Sequence, residues 1–553
     1  MTLWNSIIAK IREMWSKMVG SKTIEQALHI TPVISSEMEH AIQQWSDLYR
    51  NKAPWLHEPD KENPTRIVSL GLPAMIASEK ARMVVLEMQS DITTPTEEVE
   101  VENPNYKEPE PDEFGNILPT FETPTIIEEK PVGNTERADY LNEQYKKLKD
   151  NLRRQLEYGI AKGGLVIKPY IVKGEVDNET NEVTYNIEFD YIQADAFYPL
   201  AFNASGEITE AAFVDSRVEK DTIYRRLEYH QWANNSVKII NKAFKTNIPT
   251  NTMDMNRLDL GKEIPLTDVS EWKDLQAETT IKNVTKPLFA YFKMPDANTI
   301  DTSSPLGVSG YSRAISLIKD ADIQYSTLLW EYEAGQMAID IDRDALMTRT
   351  DDNGNNHTEL GHLQQRLYRF VDLSTTGDTY QPYSPALRDN NYMAGLNTIL
   401  MRIEDVCAIS RGTLSDAAAE ARTATELKIL KQRSYSANAE IQHALEHTLR
   451  DTIYIMNVYC DLYEITPEGD YDVSFEWDDS IITDVDAELG KQITLLQNGL
   501  TSKKDVIMWY FGMTDRQAED KLKEIEGESV DDMEKDLAMQ SNLSRQSMMA
   551  KQA

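Results

Sequence analysis

The stretch "RGTLSDAAAEARTATELK", Arg411 to Lys428, interrupts a chain otherwise dense in charge and large apolar side chains. It lies between two segments of helical periodicity. Thr423 and Glu426 have the Ser/Thr-x-x-Glu spacing of a capping box, in which two side chains satisfy orphan amides reciprocally. That spacing predicts a helix beginning at Ala424. Gly412 predicts the end of the preceding helix, because glycine turns there without a β-carbon penalty. Between them, Thr413, Leu414, Ser415, Asp416, Ala417, Ala418, Ala419, Glu420 and Arg422 form a connector of mostly small side chains. From these residues alone it reads as a helix–helix connector, with one extra helical turn allowed by the alanine run.

Upstream, Tyr392, Leu396, Ile399 and Ile403 recur at i+3 and i+4, one face of a helix over 388–410. A similar stripe, Tyr311, Ile315, Ile318, Tyr325 and Leu329, runs through "GVSGYSRAISLIKDADIQYSTLLWEYEAGQ" from Gly307, interrupted by Asp322. About 25 helical residues there would span roughly 38 Å. Between these helices, "MAIDIDRDALM" and "RLYRFVDL" are strand-like and "DDNGNN" is a turn. Residues 339–387 are therefore a small β or αβ excursion held between two helices that run side by side. Downstream of the opening stretch, Ile441, Leu445, Leu449 and Ile453 mark the buried face of a helix of about 40 residues reaching Tyr463. "YDVSFEW" then reads as a strand. Asn498-Gly499 ends a short helix, and Thr514 with Gln517 has capping-box spacing.

Residues 1–90 read as helices broken at Pro32, Pro54 and Pro73. Trp4, Ile7, Ile8, Ile11, Trp15 and Met18 form one helix face. It suits docking on the protein itself or a neighbouring subunit better than on a membrane surface. Asp91 to Pro131, rich in prolines and acids, reads as a long exposed loop. Helical spacing returns and ends at Gly163-Gly164. A β-rich part, 165–293, follows. "VTYNIEFDYI" alternates with period two, "IYRRLEYHQW" and "SVKIINKAF" flank an Asn234-Asn235 hairpin turn, and "KPLFAYFKMP" is one more strand. The fold class is α+β, mainly helical.

At 553 residues the chain exceeds one ordinary core. Its 57 Lys+Arg against 92 Asp+Glu leave a net charge of −35, the wrong sign for gripping DNA phosphates. That balance is compatible with letting DNA slide past. The two cysteines, Cys407 and Cys460, exclude a disulfide scaffold and fit a reducing cytoplasm. No apolar run approaches the ~20 residues that span a bilayer. Nucleotide-binding glycine loops and the Gly-x-Ser-x-Gly elbow are absent. Asp340, Asp342 and Asp344 alternate as in a calcium loop, but Ala345 stands where its glycine belongs, so a solvated acidic strand is the better reading. His443, Glu446 and His447 match an inverted zinc-protease pattern, yet they lie midway along a very long helix with no third ligand in view. No catalytic residue, cofactor or metal is assigned.

The ordered pieces resemble the portal protein, or head–tail connector subunit, of tailed bacteriophages, of the type in long non-contractile-tailed phages of Gram-positive hosts. "LEYHQW" at 227–232 and "INKAF" at 240–244 are similar to the family's wing strands. "SPLGVSGYSRAISLIKDAD" at 304–322 resembles the entry to its first stem helix, and "RGTLSDAAAEARTATELK" its channel loop with the following helix. "NGLTSKKDVIMWYFGMTDRQAEDKLKEI" resembles its crown. The resemblance implies a non-enzymatic ring, normally of twelve subunits, assembled in the host cytoplasm and carried at the capsid vertex of the virion, with double-stranded DNA passing through it without sequence specificity. It implies a wing over 1–304, stem helices over 305–338 and 388–410, and a clip over 339–387. A tunnel loop over 411–422, a long wing helix and strand over 423–484, and a crown over 485–553 complete it. Large terminase subunit, head–tail adaptor, major capsid and scaffolding proteins are the implied partners, with no membrane. Asp340, Asp342, Arg343 and Asp344 would dock partners at the clip. Arg313, Lys319, Arg402 and Arg411 would supply weak DNA contacts or, more simply, ordinary ion pairs. A helical or membrane-peripheral scaffold, and a zinc hydrolase through His443, Glu446 and His447, are the competing readings.

Overall fold

A computed structural model describes residues 22–30, 34–58, 66–86, 88–102, 125–176, 183–220, 222–247, 259–342, 349–350, 356–357, 368–371, 380–416, 424–477, 485–511, 518 and 521–522. The N-terminal apolar face, Thr514 with Gln517, and the polar C-terminus lie outside them. The chain divides into two units, 1–477 and 478–553. Helices and strands are both abundant, and the fold is α+β.

In the first unit the helices are α1 (Ile24–Leu28), α2 (Ser36–Tyr49), α3 (Leu72–Val85), α4 (Glu136–Lys162), α5 (Ile315–Ala334), α6 (Asp389–Cys407) and α7 (Ala424–Leu462). The core forms around α4, whose Leu141, Tyr145, Leu148, Leu152 and Leu156 are fully buried. Their i+3/i+4 spacing puts all five on one stripe. Opposite that stripe lie α2, α3 and α7, with Ile441, Leu445, Leu449 and Ile453 buried on α7 as their period requires. A three-stranded antiparallel sheet, 290–293 beside 164–176 beside 183–193, closes the core.

A larger antiparallel sheet runs 22–23, 259–264, 236–247, 222–233, 208–219, 197–202, with 278–282 also pairing to 236–247. Asn234 and Asn235 turn its central hairpin with φ of 51° and 54°. Two left-handed residues make the turn whose twist matches the flanking strands. Between α5 and α6, 338–342 pairs parallel with 368–371 and antiparallel with 380–383. The expected β excursion is thus a small mixed sheet.

Four expectations are corrected. The acidic stretch 91–131 is not one long loop: 88–93 pairs with 472–477, and 96–102 pairs with 125–131. Backbone pairing to a distant strand overrides a loop-like composition. Pro73 does not break a helix but sits in the first turn of α3, where a missing amide costs nothing. The helix expected from Gly307 begins at Ile315, after a 3₁₀ turn over Ser312–Ala314. Upstream of it the backbone is committed elsewhere, with the Gly310 amide donating to Ile160 O and the Tyr311 hydroxyl to Trp45 O. Gly412 does not end α6. Ala408 does so, left-handed at φ 53°.

The expected stop at Gly163 is present. Gly163 has φ 88°, and a β-carbon there would lie 2.6 Å from Gly307 O. Two backbones meet where helix α4 hands over to its strand, and nothing larger fits.

The second unit contains α8 (Val485–Gln497), stopped by Gly499 at φ 68°, and α9 (Lys503–Phe511). Ser502 and Asp505 cap α9 reciprocally.

Alanine at Gly206, left-handed but in open space, should cost about 1 kcal/mol of backbone strain. Alanine at Gly163 adds a backbone collision and should cost about 3 kcal/mol or more. Thermal unfolding of the two variants side by side checks that order.

Candidate channel loop and its anchor

The opening stretch begins where α6 ends. The amide of Ile409 returns to Glu404 O at 2.9 Å, and the chain then folds back along the last turns of the helix. The Glu404 side chain is fully buried. Its Oε1 accepts the amides of Gly412 at 3.1 Å, Leu414 at 2.6 Å and Ser415 at 2.9 Å, while Oε2 accepts the Ser415 hydroxyl at 2.7 Å. A desolvated carboxylate is costly unless donors surround it, and four donors from one loop satisfy it. Gly412, at φ 88°, helps turn this amide-presenting loop.

Two more side chains of α6 fasten the same segment. Asn397 Oδ1 accepts the Asp416 amide at 2.8 Å. Asp405 takes a two-pronged bond from Arg411, at 3.1 Å from Nε and 2.8 Å from the terminal nitrogen. Those bonds raise the Arg411 guanidinium above its usual value. Residues 411–416 are therefore a fastened base. Ala417, Ala418, Ala419, Glu420, Arg422 and Thr423 lie outside the described residues, and α7 starts at Ala424 as its cap spacing predicts. Of Glu426 only the helical backbone is described.

The helices α5 and α6 lie antiparallel. Glu331 accepts Arg388 through its amide at 3.1 Å and guanidinium at 2.8 Å, and seven residues earlier Gln324 donates to Tyr392 O at 3.4 Å. Tyr311, Ile318 and Ile403 are buried. Ile315, Leu396 and Ile399 are half-buried against the core, and Tyr392 is half-buried. Tyr325 is half-buried too, and Leu329 is 38% exposed in the single chain. Leu328 and Ala321 are buried as well. Asp322 does not interrupt the buried face but belongs to it. Its carboxylate accepts Trp55 Nε1 at 2.9 Å and the Leu70 amide at 2.8 Å. Burial raises its pKa, and those two bonds partly offset the shift.

Sequence reading missed Glu404 and misjudged Asp322 because an acid inside an apolar stripe looks like a flaw in the pattern. The signal was the interruption itself. Three of the four cations singled out make acidic contacts: Arg313 lies 3.4 Å from Asp296, Arg402 lies 3.8 Å from Asp405, and Arg411 is described above. Lys319 is exposed. Asp340 and Asp342 lie in the central strand of the mixed sheet, while Arg343 and Asp344 are outside the described residues.

His443 and His447 face outward from α7. His447 Nδ1 is 3.3 Å from Asp451, and Glu446 is held by Arg450 at 2.8 Å. Such surface pairs are commonplace. Among the described residues no three His, Cys, Asp or Glu side chains are grouped to hold a metal ion.

Compared with known families, the chain matches over residues 35–540 the family described as "Phage portal protein, SPP1 Gp6-like". No curated protein matches it.

Replacing Glu404 by Ala takes the acceptor from the Leu414 and Ser415 amides and the Ser415 hydroxyl, each worth about 1–3 kcal/mol when buried without a partner. The exposed Gly412 amide keeps Ser415 Oγ at 3.3 Å. Amide exchange at Leu414 and Ser415 should accelerate at least ~100-fold, with Glu404→Gln in between. Exchange rates equal to wild type would mean that the carboxylate does not hold the loop.

Proposed function

This chain belongs to the SPP1 Gp6-like family of phage portal proteins, and from that premise we propose how its parts serve a DNA conduit. The family is a structural one of the phage virion, ring-forming at the capsid vertex and engaged in DNA packaging. Residues 1–304 are proposed as the wing, α5 and α6 as the stem, 339–387 as the clip and 485–553 as the crown. The long helix and strand over 423–484 return to the wing. Residues 411–422 are proposed to line the channel.

The observation that carries this reading is the antiparallel pair α5/α6, with a mixed sheet at one end and a fastened loop at the other. A loop that brushes a moving duplex must be held at its base. The bonds from Asn397, Glu404 and Asp405 supply such a base. Stem helices in a ring also need an apolar side for their neighbours. On α5, Ile323 is 37% and Trp330 52% exposed, seven residues apart on one stripe. The clip, with Asp340 and Asp342 on its central strand, is proposed to dock the large terminase subunit and later the adaptor. The net charge of −35 disfavours phosphate contacts that would slow the duplex, since each ~1.4 kcal/mol of attraction costs about tenfold in rate. No helix among the described residues is long and apolar enough to cross a membrane.

Electron micrographs of the purified chain should show rings with a central hole, twelve-fold in the assembled virion. A clean monomer under assembly conditions would sink the reading. Ala417→Trp or Ala418→Trp should leave ring assembly intact and reduce packaged DNA severalfold. Packaging at the wild-type level would take the loop away from the bore.

A further inference from the structure

Lys80, on α3, is 4% exposed, and it makes no hydrogen bond or ion pair with any described residue. Its aliphatic stem passes Gly310, where a β-carbon would lie 3.4 Å from Lys80 Cδ and 2.9 Å from Ile160 Cγ2. The missing side chain makes room for Ile160, and the lysine stem runs alongside. Lys80 lines a cavity of about 100 Å³, together with Ser309, Ser312, Arg313, Asp296 and Glu440. Elements far apart in the chain meet here: α3, the turn that starts α5, the end of α6, and α7. A second, smaller hollow beside Lys80 is lined by Ala408, Ile409, Ser410 and Thr413, at the foot of the channel loop.

An ammonium drawn back from bulk water needs a counter-charge, and the described residues around Lys80 supply only a shared one. Cys407 is nearest in effect, but burial pushes its thiol up to about 12, so it stays neutral. Asp296 favours the charged Lys80 but is shared with Arg313, which lies 3.4 Å from it. Glu440 is exposed at the rim. Burial accordingly holds the Lys80 amine below its usual value. Uncommitted donors face the same space. Ser309 accepts the Tyr311 amide at 3.4 Å, leaving its own proton free, and Arg313 is 44% exposed with further donors at the mouth.

We propose that this cavity binds a small oxyanion of the phosphate class, with Lys80 Nζ as its deep contact and Ser309, Ser312 and Arg313 as its other donors. The bound anion braces α3, α6 and α7 against the start of α5, beside the fastened foot of the loop. This site is independent of whether that loop lines a channel.

The test uses the full chain and inorganic phosphate at constant ionic strength with chloride as the balancing anion. Wild type should show a saturable rise in Tm. Lys80→Met should lose it, with no lower Tm in chloride, because an unpaired amine is exchanged for an apolar side chain of similar length. Lys319→Met, at an exposed lysine of the same region, should keep the response. In parallel, acetylation of wild-type Lys80 followed by mass spectrometry should slow about tenfold at phosphate tenfold above Kd, with Lys319 unaffected. A Tm response equal in Lys80→Met, no saturable response in wild type, or unchanged acetylation of Lys80 would each overturn the site.

Discussion

A carboxylate removed from water must be met by donors, and the middle of this molecule is organised by that constraint. Glu404 gathers four donors from one loop. Asp322 gathers an indole and an amide from the segment between α2 and α3. Glu331 joins the facing ends of α5 and α6 through Arg388. In each case the acid lies on a helix and the donors come from elsewhere. The helix therefore dictates where a less regular segment runs.

The same constraint shapes the β-rich part. Glu228 is buried between strands, with Lys168 Nζ at 2.8 Å and His230 Nε2 at 2.7 Å. Burial opposes its charge, but Lys168, His230 and Arg226 together hold it well below the usual carboxylate range. Burial also lowers His230 below its usual value. Nearby, Asp195 meets Lys162 at 2.8 Å and Ser46 at 3.1 Å, tying α2 and α4 to the turn after 183–193. A strongly acidic chain thus uses some of its acids as internal fasteners. Others face solvent, where they keep the surface negative.

Elements with a strong local period were legible without the structure. The face of α7, the Asn234-Asn235 hairpin and the stop at Gly163 all follow from residues within one or two turns of each other. The pairings of 88–93 with 472–477 and of 96–102 with 125–131 were not, because the partners are distant and the composition is that of a loop. The start of α5 was misplaced for a related reason. Its apolar stripe extends back to Tyr311, but Gly307 is pressed against Gly163 and Tyr311 is held by Trp45. In the candidate loop, Thr413 to Asp416 were visible as an unusual run of small residues, whereas the side chains that hold them were not.

Taken alone, the amino-acid order determined the periodicities, caps and turns of this chain, and the ordered set of pieces that resembles a portal subunit. Those features depend on neighbours within a few residues, which the order itself supplies. Only the tertiary structure decided which acids are buried, which amides they accept, and where helices yield to tethered loops. Asp322 differs from Asp320 by one turn-fraction of a helix, yet Asp320 is exposed and Asp322 is a buried hub. The difference is the arrival of Trp55 and Leu70, which no local pattern around residue 322 encodes.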